Sequence, residues 1–192
     1  MDIILASGSP RRSDLMKQVG LEFRVSTCNT DESYDKGLRP AEIVMELSLR
    51  KADAVFDKEM PDKDTVVVAA DTIVAMDNEI LGKPKDRNDA IRMLRELSGR
   101  KHQVYTGVTM YYYVGGRVFI ENFADCADVY FRELSDETIT SYVDSWEPMD
   151  KAGAYGIQGL GAILVDKIDG DYYTIVGLPI SKVYHSIKNN SK

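Results

Sequence analysis

Thr65-Val66-Val67-Val68-Ala69-Ala70, running on into Asp71-Thr72-Ile73-Val74, is the stretch from which the fold can be read. An apolar run without polar alternation describes a strand covered on both faces, as in the sheet of an α/β layout. Asp71 then ends that buried strand, at the carboxyl end where open α/β sheets receive their ligands. Such a carboxylate can bind a divalent cation, act as a base towards water, or serve as an ordinary turn residue.

Outward from this strand, apolar runs and helical patterns alternate along all 192 residues. Upstream, Ile3–Ala6 reads as a short buried strand ended by Ser7-Gly8-Ser9-Pro10. A helix follows from Pro10 to Val19 and stops at Gly20, and Phe23–Thr27 forms a second strand. Pro40 opens a longer helix through about Phe56. Downstream, Ile73–Met76 and Ile80–Leu81 flank a tight hairpin at Asp77-Asn78-Glu79. Asp86 caps a helix through Leu97, closed by Gly99. Val104–Val114 and Arg117–Phe131 are strand-rich and joined by Gly115-Gly116. Ser135 caps a helix to about Ser145, and a glycine-rich loop, Gly153–Gly161, leads to Ala162–Ile168. Tyr172–Val176 and a last helix from Pro179 complete the chain, with disorder expected only in the tail, 188–192. The expected fold class is α/β, with helices flanking a mixed sheet in one domain of two lobes.

Composition narrows the partners. The formal net charge is −7, which argues against general affinity for nucleic-acid backbones. An anion would have to be met by a local basic cluster or a metal ion. The two cysteines, Cys28 and Cys126, have no zinc spacing and suit a reducing compartment. Neither a signal peptide nor a membrane span can be read, so a cytoplasmic address and no membrane partner are expected. His102 and His185 are too few for a histidine metal centre.

Several residues break local rules. Arg11 and Arg12 follow Ser9-Pro10 at a helix start, where acidic residues suit the positive end of the helix dipole. A bound phosphate chain would resolve the conflict; an exposed turn with arginines in water would serve equally. Lys51 falls within the apolar stripe Ile43, Val44, Leu47, Ala54 and Val55. Its stem could snorkel to solvent, or its ammonium could face a buried anion. Lys83 is held in Gly82-Lys83-Pro84, and Asp31-Glu32 adds acid in a loop after a strand. Gln158 lies among four glycines within Gly153–Gly161, which implies unusual backbone angles or close approach of a ligand. Its amide has both a donor and an acceptor, as reading a pyrimidine edge requires. No Walker or dinucleotide-binding glycine pattern is present.

Taken in order, Leu5-Ala6-Ser7-Gly8-Ser9-Pro10-Arg11-Arg12, Ala70-Asp71-Thr72, Gly82-Lys83-Pro84 and Asp150-Lys151-Ala152-Gly153-Ala154-Tyr155-Gly156-Ile157-Gln158-Gly159 resemble the Maf family of nucleoside triphosphate pyrophosphatases. The resemblance covers nearly the whole chain. It implies an elongated fold with a central cleft, similar to inosine triphosphate pyrophosphatases. It also implies cleavage of a nucleoside triphosphate to the monophosphate and pyrophosphate with a divalent cation, Mg2+ or Mn2+. Asp71 would be the proton acceptor, and Ser7, Arg12, Glu32, Lys51 and Lys83 fall on other polar active-site positions; from the residues themselves, Asp71 with Glu32 is the expected metal-ligand pair. Arg11, Thr72 and Gln158 match the branch acting on dTTP and UTP. A homodimer is the implied assembly. The alternatives are a pyrophosphatase for 7-methyl-GTP or another non-canonical purine triphosphate, or a non-catalytic nucleotide-binding regulator of septum formation.

Overall fold

The structure is a computed structural model and describes residues 1–77 and 79–191. In chain order its elements are β1 (Asp2–Leu5), α1 (Pro10–Gln18), β2 (Arg24–Val25), α2 (Pro40–Glu59), β3 (Thr65–Met76), β4 (Glu79–Leu81) and α3 (Arg87–Leu97). They continue with β5 (Lys101–Val114), β6 (Arg117–Phe131), α4 (Asp136–Asp144), β7 (Val165–Asp169), α5 (Tyr172–Val176) and α6 (Ile180–Asn190). The seven strands form one sheet in the order β2-β1-β3-β5-β6-β7, with β4 on β3. Pairing is parallel for β1 with β2 and β3, and antiparallel for β3 with β4 and β6 with β7, so the sheet is mixed as expected.

The chain divides into two compact units, 1–71 with 106–125 and 177–192, and 72–105 with 126–176. In the first unit, Ile4 of β1, Ala6 just after it, and Val67 and Ala69 of β3 pack with Ala52 and Val55 of α2. Val66 to Ala70 are wholly buried, the covered strand that the apolar run predicts. Helix α2 approaches β5 so closely that a Cβ on Gly107 would lie 2.2 Å from the Val44 carbonyl oxygen. The buried pair Ser48 and Thr109, 2.9 Å apart, joins the same two elements. In the second unit, Leu94 and Leu97 of α3, Ile139 and Tyr142 of α4 and Val129 and Phe131 of β6 share one core. Asp86 caps α3 through Asp89 N at 2.9 Å, and Ser135 caps α4 through Thr138 N at 3.1 Å, as their positions predict.

Four expectations need correction. Strand β3 does not end at Ala70: it continues through Asp71 and Thr72 to Met76. The ladder is made by backbone groups, and the β-branched residues after Asp71 keep the chain extended. Strand β2 is only Arg24–Val25, and both residues are exposed. The stripe of α2 runs through Ser48, Ala52 and Val55, with Ala54 at its margin. The predicted disordered tail is instead helical through Asn190, whose side chain donates to Glu121 Oε1 at 3.0 Å. Asn78 of the predicted hairpin and Lys192 of the tail lie outside the described residues; Met76 of β3 and Glu79 of β4 are paired antiparallel.

Candidate active site

Within the first unit, two carboxylates converge on one ammonium. Lys51 Nζ lies 2.6 Å from Asp71 Oδ1 and 2.9 Å from Glu32 Oε1. Of the two readings of Lys51, the structure takes the inward one. Position 51 follows Leu47 by one turn and lies beside Ala52, so its stem starts on the core-facing side of α2. Asp71 is 9% exposed. A carboxylate so enclosed needs a cation or hydrogen-bond donors, and Lys51 supplies both.

The Ser7–Arg12 segment folds back on itself. Ser9 occupies the N-cap of α1 but makes no side-chain cap, and Pro10 takes the first helical position. The buried Ser7 hydroxyl oxygen accepts from Ser9 N at 3.2 Å and from an Arg12 terminal nitrogen at 3.0 Å. Arg12 Nε donates to the Gly177 carbonyl at 2.8 Å, so this arginine is anchored, not merely turned to water. Burial pulls the Arg12 guanidinium below its ordinary pKa; Asp71 and Glu32 oppose that shift, and Arg11 adds to it. Arg12 therefore shares the electrostatic neighbourhood of both carboxylates. Arg11 beside it is half-buried.

Arg50 adjoins this cluster, and the sequence reading missed it. It donates to the carbonyls of Ser33 at 2.5 Å and Asp31 at 3.3 Å, bracketing Glu32. Its position next to Lys51 on α2 was the available signal. Asp31, by contrast, turns its carboxylate onto Ser33 N and Oγ at 2.9 and 2.6 Å, which makes it part of a local turn.

Could these residues hold a divalent cation? Among the described residues no group of three His, Cys, Asp or Glu forms a self-sufficient metal cluster. Glu32 and Asp71 nevertheless offer oxygen donors to one point already held by a cation, the ammonium. One or two carboxylates, completed by substrate phosphates and water, is the donor set a hard divalent ion uses at phosphate sites. The residues fit that group.

Thr72, Lys83 and Gln158 belong to the second unit. Thr72 follows Asp71 along β3 and is half-buried. Lys83 is exposed between Gly82 and the buried Pro84, and the Gly82 carbonyl accepts from Gly153 N at 3.0 Å. Gly153 has φ 67°, and a Cβ there would press on Val74 at 3.1 Å. The predicted glycine-rich loop is a pair of 3-10 turns, Ala152–Ala154 and Gly159–Ile163, with the exposed Gln158 at the head of the second.

Comparisons with known proteins agree with the resemblance in sequence. A dTTP/UTP pyrophosphatase of Acetivibrio thermocellus is 46% identical over 191 residues, covering 97% of this chain and 94% of its own. One from Aquifex aeolicus is 46% identical over 188 residues, covering 98% and 95%. Among solved structures, a nucleoside-triphosphatase, the dITP/XTP pyrophosphatase of Mycobacterium abscessus, matches with a TM-score of 0.46 and 11% identity, covering 98% of this chain and 97% of that one. A family profile described as Maf-like protein matches residues 2–190. The chain belongs to the Maf-like protein family.

Proposed function

We propose that this chain hydrolyses dTTP and UTP to the nucleoside monophosphate and pyrophosphate, with Mg2+ or Mn2+ as cofactor. The observation that carries this reading is the single ammonium of Lys51 shared by Asp71 and Glu32, beside the anchored Arg12. It is supported by the printed activity of relatives about 46% identical over nearly the whole chain.

The reaction is in-line attack of water on the α-phosphorus. A bond forms from the water oxygen to phosphorus, the bridging bond to the β-phosphate oxygen breaks, and its electron pair leaves with pyrophosphate. Asp71 orients the water and accepts its proton. Its partial burial and its bond to Lys51 fix the carboxylate before substrate arrives. Arg11, Arg12 and Lys51 counter the triphosphate charge, which an acidic protein of net charge −7 would otherwise repel. Ser7 holds Arg12 in place. Glu32 and Asp71 would hold the divalent cation, which when bound neutralises phosphate charge and polarises a phosphoryl oxygen. Lys83 adds positive charge for the leaving group, and Thr72 and Gln158 select the base; these three roles rest on the family resemblance.

The test is a panel of nucleoside triphosphates scored by released pyrophosphate, with and without Mg2+ or Mn2+. Turnover should be greatest with dTTP and UTP and should need the metal. Hydrolysis in oxygen-18 water should label the monophosphate; label in pyrophosphate would mean attack at the β-phosphorus. A cytoplasmic location and a homodimer belong to the same proposal. The first is supported by Cys28 and Cys126, which are not joined in a disulfide, as suits a reducing compartment, and sedimentation checks the second.

A further inference from the structure

The segment that carries Gln158 is pinned on both sides by two side chains of the second unit. Tyr142, on the last turn of α4, accepts from Gly156 N at 3.1 Å and donates to Glu147 Oε1 at 3.2 Å. Glu147 in turn accepts from Leu160 N at 3.1 Å and from Gly161 N at 3.3 Å. Gln158 lies between these anchor points, two residues from each nearest one. Its own side chain is exposed.

Two further observations point to a built clamp. The glycines of the segment have steric reasons: a Cβ on Gly161 would lie 1.9 Å from the Gly156 carbonyl oxygen and 3.0 Å from the Tyr142 hydroxyl. At Gly159, where φ is 62°, it would lie 2.8 Å from Glu147 Oε2. The segment thus closes on itself against these two residues. Before Glu147, Trp146 adopts φ 63°, an unfavourable conformation for a bulky side chain. Backbone strain of this kind persists only where the surroundings enforce it. Burial raises the Tyr142 hydroxyl well above its ordinary pKa, so it remains a donor to Glu147 across the neutral range.

We infer that Tyr142 and Glu147 are positioning residues that hold Gln158 in register and thereby set which nucleobase the enzyme accepts. This rests on the proposed role of Gln158 in reading the base. The chemistry is that of a polar amide read against a pyrimidine edge, where donor and acceptor must both be aligned. Neither clamp residue touches the reacting phosphorus in this scheme, so their loss acts on recognition.

The test compares kcat and KM for UTP and GTP in the wild type, Glu147→Gln, Tyr142→Phe, Gln158→Ala and the Gln158→Ala/Glu147→Gln double variant. Glu147→Gln keeps the shape but turns an NH2 group towards donors, and Tyr142→Phe removes the acceptor for Gly156 N. Each single clamp variant should lower the UTP-over-GTP ratio of kcat/KM by about 10- to 100-fold. The loss should come through KM for UTP, with kcat changed by less than about threefold. In the Gln158→Ala background, Glu147→Gln should cost no further selectivity, because the two act as one unit. Equal losses for UTP and GTP, a loss that adds fully to that of Gln158→Ala, or a Gln158→Ala variant as selective as the wild type would each overturn the inference. If the wild type releases no pyrophosphate from any triphosphate, the proposed reaction fails by itself. The clamp is then judged on dissociation constants for UTP and GTP by calorimetry, and an unchanged ratio in Glu147→Gln would overturn it.

Discussion

Lys51 on α2 donates to Asp71 in the middle of β3 across 2.6 Å, so the lysine of an apolar helix stripe and the aspartate of an apolar strand satisfy each other. Each is costly where it stands without the other. This pairing explains why a charged residue is tolerated in each element. It also holds two carboxylates, those of Asp71 and Glu32, at one point of positive charge.

Lys51→Met should therefore destabilise the protein by about 3 kcal/mol, because it leaves the Asp71 carboxylate enclosed without its cation. Urea unfolding measures this. Excess Mg2+ should recover part of the loss, since Asp71 and Glu32 then face each other without a positive charge between them. A variant as stable as the wild type would mean that the pair contributes nothing to the fold.

Arg50 holds the backbone on either side of Glu32, at Asp31 and Ser33. Arg50→Met should raise the Mg2+ concentration for half-maximal activity by about 10-fold, the scale of lost supporting contacts behind a metal ligand. Maximal turnover at saturating Mg2+ should change little. Metal titration of activity distinguishes this from a direct catalytic role.

Much of this was legible in the sequence, and the misses have identifiable causes. The apolar run Val66–Ala70 carried the buried strand because continuous burial leaves no polar alternation. The cap residues Asp86 and Ser135 marked their helices because a side-chain oxygen satisfies an otherwise orphaned N–H. Lys51 and Asp71 stood out as charges in apolar surroundings. Their pairing did not, since 20 residues of sequence separation carry no spatial information. Asp71 looked like a strand terminus because aspartate disfavours strands; a tertiary partner overrode that local preference. Tyr142 and Glu147 escaped notice because they hold backbone groups of the glycine segment, which leave no mark in side-chain patterns, and Arg50 because its place beside Lys51 was its one signal.

Gly107 fixes the approach of α2 to β5. A methyl group there would meet the Val44 carbonyl oxygen at 2.2 Å and the carbonyl carbon at 2.3 Å, both of them backbone atoms. Gly107→Ala must push the helix away or distort the strand, at a cost of about 3 kcal/mol. Because α2 carries Lys51, activity should fall with stability. A thermal melt superimposable on that of the wild type would contradict this packing.

His102 gives the second unit a pH dependence. It is 1% exposed, bonds Tyr155 through Nε2 at 2.7 Å and packs edge-on against Phe131. Burial pushes its pKa down to about 4, with Asp128 opposing the shift. The unfolded chain, with an ordinary histidine value, binds this proton first. The stabilisation is thus complete above about pH 6.5 and is lost as pH falls towards about 4, with a full span of about 3 kcal/mol. His102→Gln should flatten the stability profile in that window. Parallel wild-type and variant profiles from urea unfolding would contradict the assignment.

The most direct measurement is the rate of pyrophosphate release from UTP by Asp71→Asn, with saturating Mg2+ and with folding checked by circular dichroism. The substitution keeps the shape of the side chain while removing its negative charge and its capacity to take a proton. A native spectrum and a rate reduced by about 100- to 10,000-fold are expected. Turnover close to that of the wild type would contradict it.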